Sequence, residues 1–193
     1  MTGAAFLLLL ERLLGQQDAR HCAARFGADA LDEPFFEAIV TYEALALYVY
    51  SNISGWHQAI NRELWSGRPS DAVRAYADVV DGALAKLPAL RGSAATVYRG
   101  VMADDLDAVR ERYRAGREVV FPGLTSATYD RRSAYGGNVL FTIRSQNARS
   151  VWHFAPTFVE DEVLLPTGCR FRVIESTSAD RQVSIVLEEL LRP

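Results

Sequence analysis

The feature that most constrains this chain is a change of periodicity at Gly92-Ser93. Before it, apolar residues recur every three or four positions between capping signals, the spacing of helices that bury one face. Ser70-Asp71 opens such a segment, with Val73, Ala77, Val80, Leu84 and Leu87 on one side and Pro88 just past its end. The same pattern predicts a helix opened by Asp32-Glu33-Pro34 and carrying Phe36, Ile39, Val40 and Leu47, and another from Ser54 through Ile60 and Leu64. After Gly92-Ser93, short β-branched and aromatic runs predict strands: 96–101, 119–121, 139–143, 163–165, 171–174 and 183–187. One helix, capped at Asp104 and carrying Leu106, Val109 and Tyr113 ahead of Gly116, interrupts them. Helices first and strands later predict an α+β domain whose helical layer covers one side of the sheet region.

A chain of 193 residues, 49% hydrophobic, is long enough for one well-packed core. The expected organisation is therefore a single domain over 1–193, with 1–92 mainly helical and 93–193 mainly β. The formal net charge of -3 offers no chain-wide attraction to nucleic acid or membrane, and neither is expected as a partner. Cys22 and Cys169 stand in unrelated contexts and match no metal-ligand spacing, so no zinc site or disulfide is expected. Met1 to Leu10 is apolar but has no basic residue ahead of it and runs into Glu11-Arg12. It reads as a helix with a packing face, not as a membrane span or secretion signal. Lys86 is the only lysine, a bias for which GC-rich coding is the plain explanation.

Three segments of the strand-rich half carry polar groups that a plain strand does not need. In Ala95-Thr96-Val97-Tyr98-Arg99-Gly100-Val101, period-2 alternation places Arg99 on the face of Val97 and Val101, the face an apolar pattern turns inward. An inward guanidinium needs an anionic partner, and its planar fork suits a pyrophosphate; a strand-end arginine in water or paired with a carboxylate is the other reading. Gly100 lets a ligand approach the backbone closely. In Glu160-Asp161-Glu162, an extended chain projects both glutamates from one side and Asp161 from the other. Adjacent like charges are unfavourable unless a cationic or polar ligand uses them, although an acidic turn before the strand Val163-Leu164-Leu165 reads equally well. Phe121-Pro122-Gly123-Leu124-Thr125-Ser126-Ala127-Thr128 reads as a hydroxyl-rich turn. His21, His57 and His153 lie apart from one another with no nucleophile signature nearby, and Trp56, Trp65 and Trp152 read as packing residues.

Taken in order, an arginine on a first strand, a serine turn on a second, and Glu-x-Glu leading into Leu-Leu-Pro resemble the Arg-Ser-Glu class of ADP-ribosyltransferases. That class includes clostridial binary-toxin enzymes, bacterial secreted effectors and vertebrate arginine-specific ecto-enzymes. The resemblance covers Tyr98 to Ile174 and is most specific from Glu160 to Val173; it extends loosely to Tyr50-Ser51-Asn52-Ile53 and Ala59-Ile60-Asn61-Arg62-Glu63-Leu64. It implies a helical layer packed on a two-sheet mixed β core and NAD as substrate. It further implies that Arg99 holds the NAD phosphates and Gly100 contacts the nicotinamide amide through its backbone. Ser126 would support the catalytic glutamate and the nicotinamide ribose, and Glu162 would be the essential carboxylate. Glu160 would engage the acceptor, preceded by a recognition turn over 154–159. Glu-x-Glu in this class goes with arginine acceptors.

The expected activity is transfer of ADP-ribose from NAD to a protein side chain, with arginine favoured. The chain is expected to be a secreted bacterial effector or toxin acting in the cytoplasm of a target cell. Its implied partners are a target protein and an immunity or activator protein, though no residue demonstrates the latter. Two departures stand out: Ala127 and Thr128 replace the middle and last residues of the class's Ser-Thr-Ser. The altered Ser126-Ala127-Thr128 segment motivates a second reading, a catalytically impaired binding module; a third, close to the first, is an NAD glycohydrolase with water as acceptor. Tyr129, Tyr135 and Phe141 are candidates to stack on nicotinamide, and each reads as well as core.

Overall fold

The computed structural model describes residues 1–27, 30–36, 38–52, 55–134, 136–154, 161–179 and 181–190, the side chains of 52, 93 and 94 aside. They form two compact units, Met1–Pro88 with Val151–Val159, and Ala89–Ser150 with Glu160–Pro193.

The first unit contains α1 (Gly3–Leu14), α2 (Gln16–Ala24), β1 (Pro34–Phe36), β2 (Ile39–Val40), α3 (Thr41–Asn52), α4 (Trp56–Trp65) and α5 (Asp71–Lys86). The opening stretch is the helix its pattern implies, with Phe6, Leu9 and Leu10 buried. Ser70 caps α5 as read, its hydroxyl accepting from the Val73 amide at 3.3 Å. The helix predicted from Asp32-Glu33-Pro34 is a correction. Pro34–Phe36 pairs antiparallel with Ile39–Val40, and helix begins only at Thr41. The Thr41 amide and hydroxyl both donate to the Glu33 carbonyl, and the Glu43 carboxylate accepts from the Val40 amide, so the helix start is anchored there. Positions 43 to 50 of α3 are all buried, which erases the one-sided pattern that marks surface helices. α4 starts after Gly55 in a left-handed conformation, and Ser54 lies outside the described residues.

Two polar contacts fix α3 inside this unit. Lys86, the single lysine, donates to both oxygens of the buried Glu43 at 2.6 and 2.7 Å. The buried Tyr76 hydroxyl donates to the Ala46 carbonyl at 2.7 Å. No described helix is long and apolar enough to cross a membrane.

The second unit contains β3 (Thr96–Val101), α6 (Leu106–Arg112), β4 (Glu118–Phe121), β5 (Thr125–Thr128), β6 (Val139–Arg144), β7 (Arg149–Ser150), β8 (Glu162–Leu165), β9 (Cys169–Ala179) and β10 (Gln182–Leu190). Asp105, one residue later than expected, caps α6 by accepting from the Ala108 amide at 2.9 Å. The strands run in the order β4-β9-β10-β6-β3-β5-β8-β7, with β6 and β10 parallel and every other pairing antiparallel. The order is continuous, but β3 and β5 share one residue pair, Tyr98 opposite Thr128. The mixed core is thus one continuous eight-stranded sheet, narrowest in pairing at the β3–β5 seam. Val97, Phe121, Phe141, Val163, Leu165 and Phe171 fill one buried cluster.

The turn after β6 is organised by Glu189 on β10. Its carboxylate accepts from the Ser145 hydroxyl, the Gln146 and Asn147 amides and the Asn147 side chain, at 2.7 to 3.0 Å. Burial opposes ionisation here, but the donors from Asn147, Ser145 and Gln146 outweigh it and hold the carboxyl below the usual glutamate range. A group with a lowered folded-state pKa stabilises above its unfolded value, about 4.3, and that contribution disappears as pH falls through the folded value. Glu189→Ala is therefore expected to cost about 3 kcal/mol at neutral pH by stranding four donors. The cost should shrink in acid. Urea denaturation at both pH values checks this, and an unchanged midpoint at neutral pH would contradict the anchoring role.

Candidate active site

Arg99 lies in the middle of β3 opposite Phe141, so it shares the buried side of its strand as the alternation predicted. Its Nη1 donates to the Ser126 carbonyl at 2.6 Å. The physical need is local. The β3–β5 ladder consists of a single pair, and the Ser126 carbonyl beside it takes a side-chain donor instead. The guanidinium supplies a donor and ties the two strands together. Its charge also reaches Tyr113, where burial pushes the phenol up while Arg112 and Arg99 draw it down.

The segment 125–128, read as a turn, is instead a strand, and this is a correction. Thr125, Ser126, Ala127 and Thr128 pair with Leu165, Leu164, Val163 and Glu162. Four polar or small residues give no strand signal alone; the ladder with the apolar β8 extends them. The pairing has a chemical consequence. Residues two apart share a face, and directly paired residues share a face. Ser126, Thr128 and Glu162 therefore lie on one side of the β5–β8 ladder. Glu162 is half-buried at the first position of β8.

Ala127 points the other way. It sits opposite Val163 and packs against the apolar cluster. The hydroxyl missing at 127 is missing from the core side of the strand, not from the side of Ser126 and Glu162. The Thr128 hydroxyl is engaged locally, accepting from the Asp130 amide at 3.2 Å.

Glu160 and the turn over 155–159 lie outside the described residues. Their neighbour Asp161 accepts a long hydrogen bond from Ser133 at 3.4 Å, joining the Glu-x-Glu segment to the loop after β5. Among the stacking candidates, Phe141 is core, packed edge-on to Tyr113 and Phe121. Tyr129 packs against the same cluster, and Tyr135 is not described.

Sequence reasoning missed Gly137 and Asn138. Asn138 clasps Ala103, accepting from its amide at 2.8 Å and donating to its carbonyl at 2.7 Å. Gly137 lies so close to Val101 that a Cβ would collide with its backbone. Together they hold the chain just after Arg99-Gly100. Gly136-Gly137-Asn138 before β6 was the available signal, since consecutive glycines mark close backbone approach. Of the histidines, His153 stacks on Phe36 and His57 meets the Tyr50 ring edge-on. Among the described residues no cluster could hold a metal.

Comparison with known proteins identifies the family and the fold. A protein of Mycobacterium avium (strain 104) described as an NAD(+)–arginine ADP-ribosyltransferase is 32% identical over 140 residues, 70% of this chain. The match spans only 16% of that curated relative's length. The type III effector XopAI from Xanthomonas axonopodis pv. citri has the same fold, with a TM-score of 0.76 at 20% identity over 98% of this chain and 87% of that one. Exoenzyme S from Pseudomonas aeruginosa, solved with human 14-3-3 protein beta and bound to carba-NAD, superimposes with a TM-score of 0.71 at 19% identity, covering 97% and 88%. Residues 20–192 match the NAD:arginine ADP-ribosyltransferase family, and the chain belongs to it.

Proposed function

We propose that this chain transfers ADP-ribose from NAD to an arginine of a target protein, releasing nicotinamide. The observations that carry the proposal are the bond from Arg99 on β3 to the Ser126 carbonyl on β5, and the shared side of Ser126 and Glu162 on the β5–β8 ladder. A guanidinium donates to a pyrophosphate, a hydroxyl can donate to or accept from a ribose, and a carboxylate accepts from ribose hydroxyls. NAD supplies an electrophilic ribose carbon and a leaving group that departs neutral, so no general acid is needed.

Arg99 holds the pyrophosphate, and its bond to the Ser126 carbonyl fixes the direction of the guanidinium. The Gly100 backbone contacts the carboxamide. Ser126, on the same side of the ladder as Glu162, supports that carboxylate and the ribose. Glu162 stabilises the positive charge that grows on the ribose in an oxocarbenium-like transition state. Glu160 orients the acceptor guanidinium and takes its proton as the nitrogen attacks. The family match across residues 20–192 supports one catalytic domain over 1–193. Similarity to a type III effector and to an exoenzyme solved with a human protein supports delivery into the cytoplasm of a target cell and a protein partner there.

Incubation with labelled NAD and a guanidino acceptor tests this. Glu162→Gln should lower both nicotinamide release and transfer by about 10²–10³-fold. Glu160→Ala should abolish transfer while leaving slow nicotinamide release. Transfer that survives in Glu162→Gln would overturn the assignment. If neither protein releases nicotinamide and NAD does not bind, the binding-module reading replaces the enzyme.

The orientation of Ala127 generates a separate expectation. Ala127→Thr places a hydroxyl and a methyl against the apolar cluster, and should cost about 1–3 kcal/mol of stability without raising turnover. A gain in kcat would show that position 127 serves the active site after all.

A further inference from the structure

Within the first unit, one surface patch is unlike the rest. Phe35 and Phe36 on β1 are 46% and 36% exposed, a large aromatic area for adjacent residues outside the core. The rings are not loose. Phe35 lies 5.5 Å from Phe26 and 6.0 Å from Phe154; Phe36 stacks on His153 at 5.2 Å and meets Phe154 edge-on. Phe154 is the first residue of the segment that the resemblance makes the acceptor-recognition turn. The exposed aromatics are thus packed onto the root of that turn.

Charge narrows what such a surface can receive. Just ahead of the two rings the chain carries adjacent carboxylates, Asp32 and Glu33, with no basic residue from 30 to 36. Asp32 and Glu33 are exposed. Aromatic faces bordered by carboxylates favour cations, and guanidinium above all, because it stacks on rings and pairs with acids. The same cluster already holds one: the Arg25 guanidinium lies 5.3 Å over the Tyr48 ring, and Tyr48 packs edge-on to Phe26.

We infer that Phe35 and Phe36 form a docking surface for a basic, arginine-bearing segment of the acceptor protein. The inference rests on the arginine-transferase reading above and adds the surface that selects the protein, distinct from the groups that act on NAD. Docking lowers the KM of a peptide acceptor and leaves that of a bare guanidino compound untouched.

The test compares two acceptors, a lysine-rich peptide carrying one arginine and free agmatine, with the full chain. Wild type should show a lower KM for the peptide. Phe35→Ser/Phe36→Ser should raise the peptide KM about tenfold, the size of one lost aromatic anchor, with kcat and all agmatine kinetics unchanged. Glu33→Lys, which removes no packing, should raise the peptide KM at low salt and lose this effect at high salt. Equal KM for both acceptors in wild type would overturn the inference, as would an unchanged peptide KM in both variants or equal losses for peptide and agmatine. Absence of transfer to either acceptor by wild type would instead sink the transferase reading and the inference with it; nicotinamide release without transfer would then identify water as the acceptor.

Discussion

A seam one residue pair wide governs the strand-rich half of this protein. Tyr98 opposite Thr128 is the only ladder contact between β3 and β5, and Arg99 adds a side-chain bond across the gap to the Ser126 carbonyl. With the ladder limited to that pair, backbone groups beside it need other donors. An arginine suits this demand. Its several fixed N–H groups let one bond serve the seam while the fork keeps a defined orientation.

Elsewhere the chain spends buried charge on anchoring. Glu43 in the helical unit and Glu189 in the sheet are both nearly inaccessible, and each is compensated, one by Lys86 and a backbone amide, the other by four neutral donors. A buried carboxylate with partners contributes little net stability, whereas removal of its partners is strongly destabilising. Such groups specify one arrangement over others. The lone lysine is therefore a structural residue, whatever coding bias left it alone.

The departures from the family pattern at the serine segment resolve through strand geometry. Alternation along β5 sends Ser126 and Thr128 to one side and Ala127 to the other, where Val163 and the apolar cluster receive it. A substitution that reads from the sequence as a missing catalytic hydroxyl is, in the fold, an apolar contact. Thr128 retains its hydroxyl and uses it on the following turn.

The sequence by itself determined the division into helices and strands, the inward side of Arg99, and the order of the three motifs, because each depends on local periodicity and residue chemistry. It also determined the α5 cap at Ser70 and the burial of the α1 face, which are properties of single segments. Only tertiary structure decided what long-range pairing controls. β5 is a strand because β8 lies beside it, and Pro34–Phe36 is extended because Ile39–Val40 pairs with it and Thr41 and Glu43 anchor the helix behind it. The clasp of Asn138 on Ala103 joins residues 35 apart. None of these can be read from a window of sequence, since the partner that supplies the hydrogen bond or the apolar contact is distant along the chain.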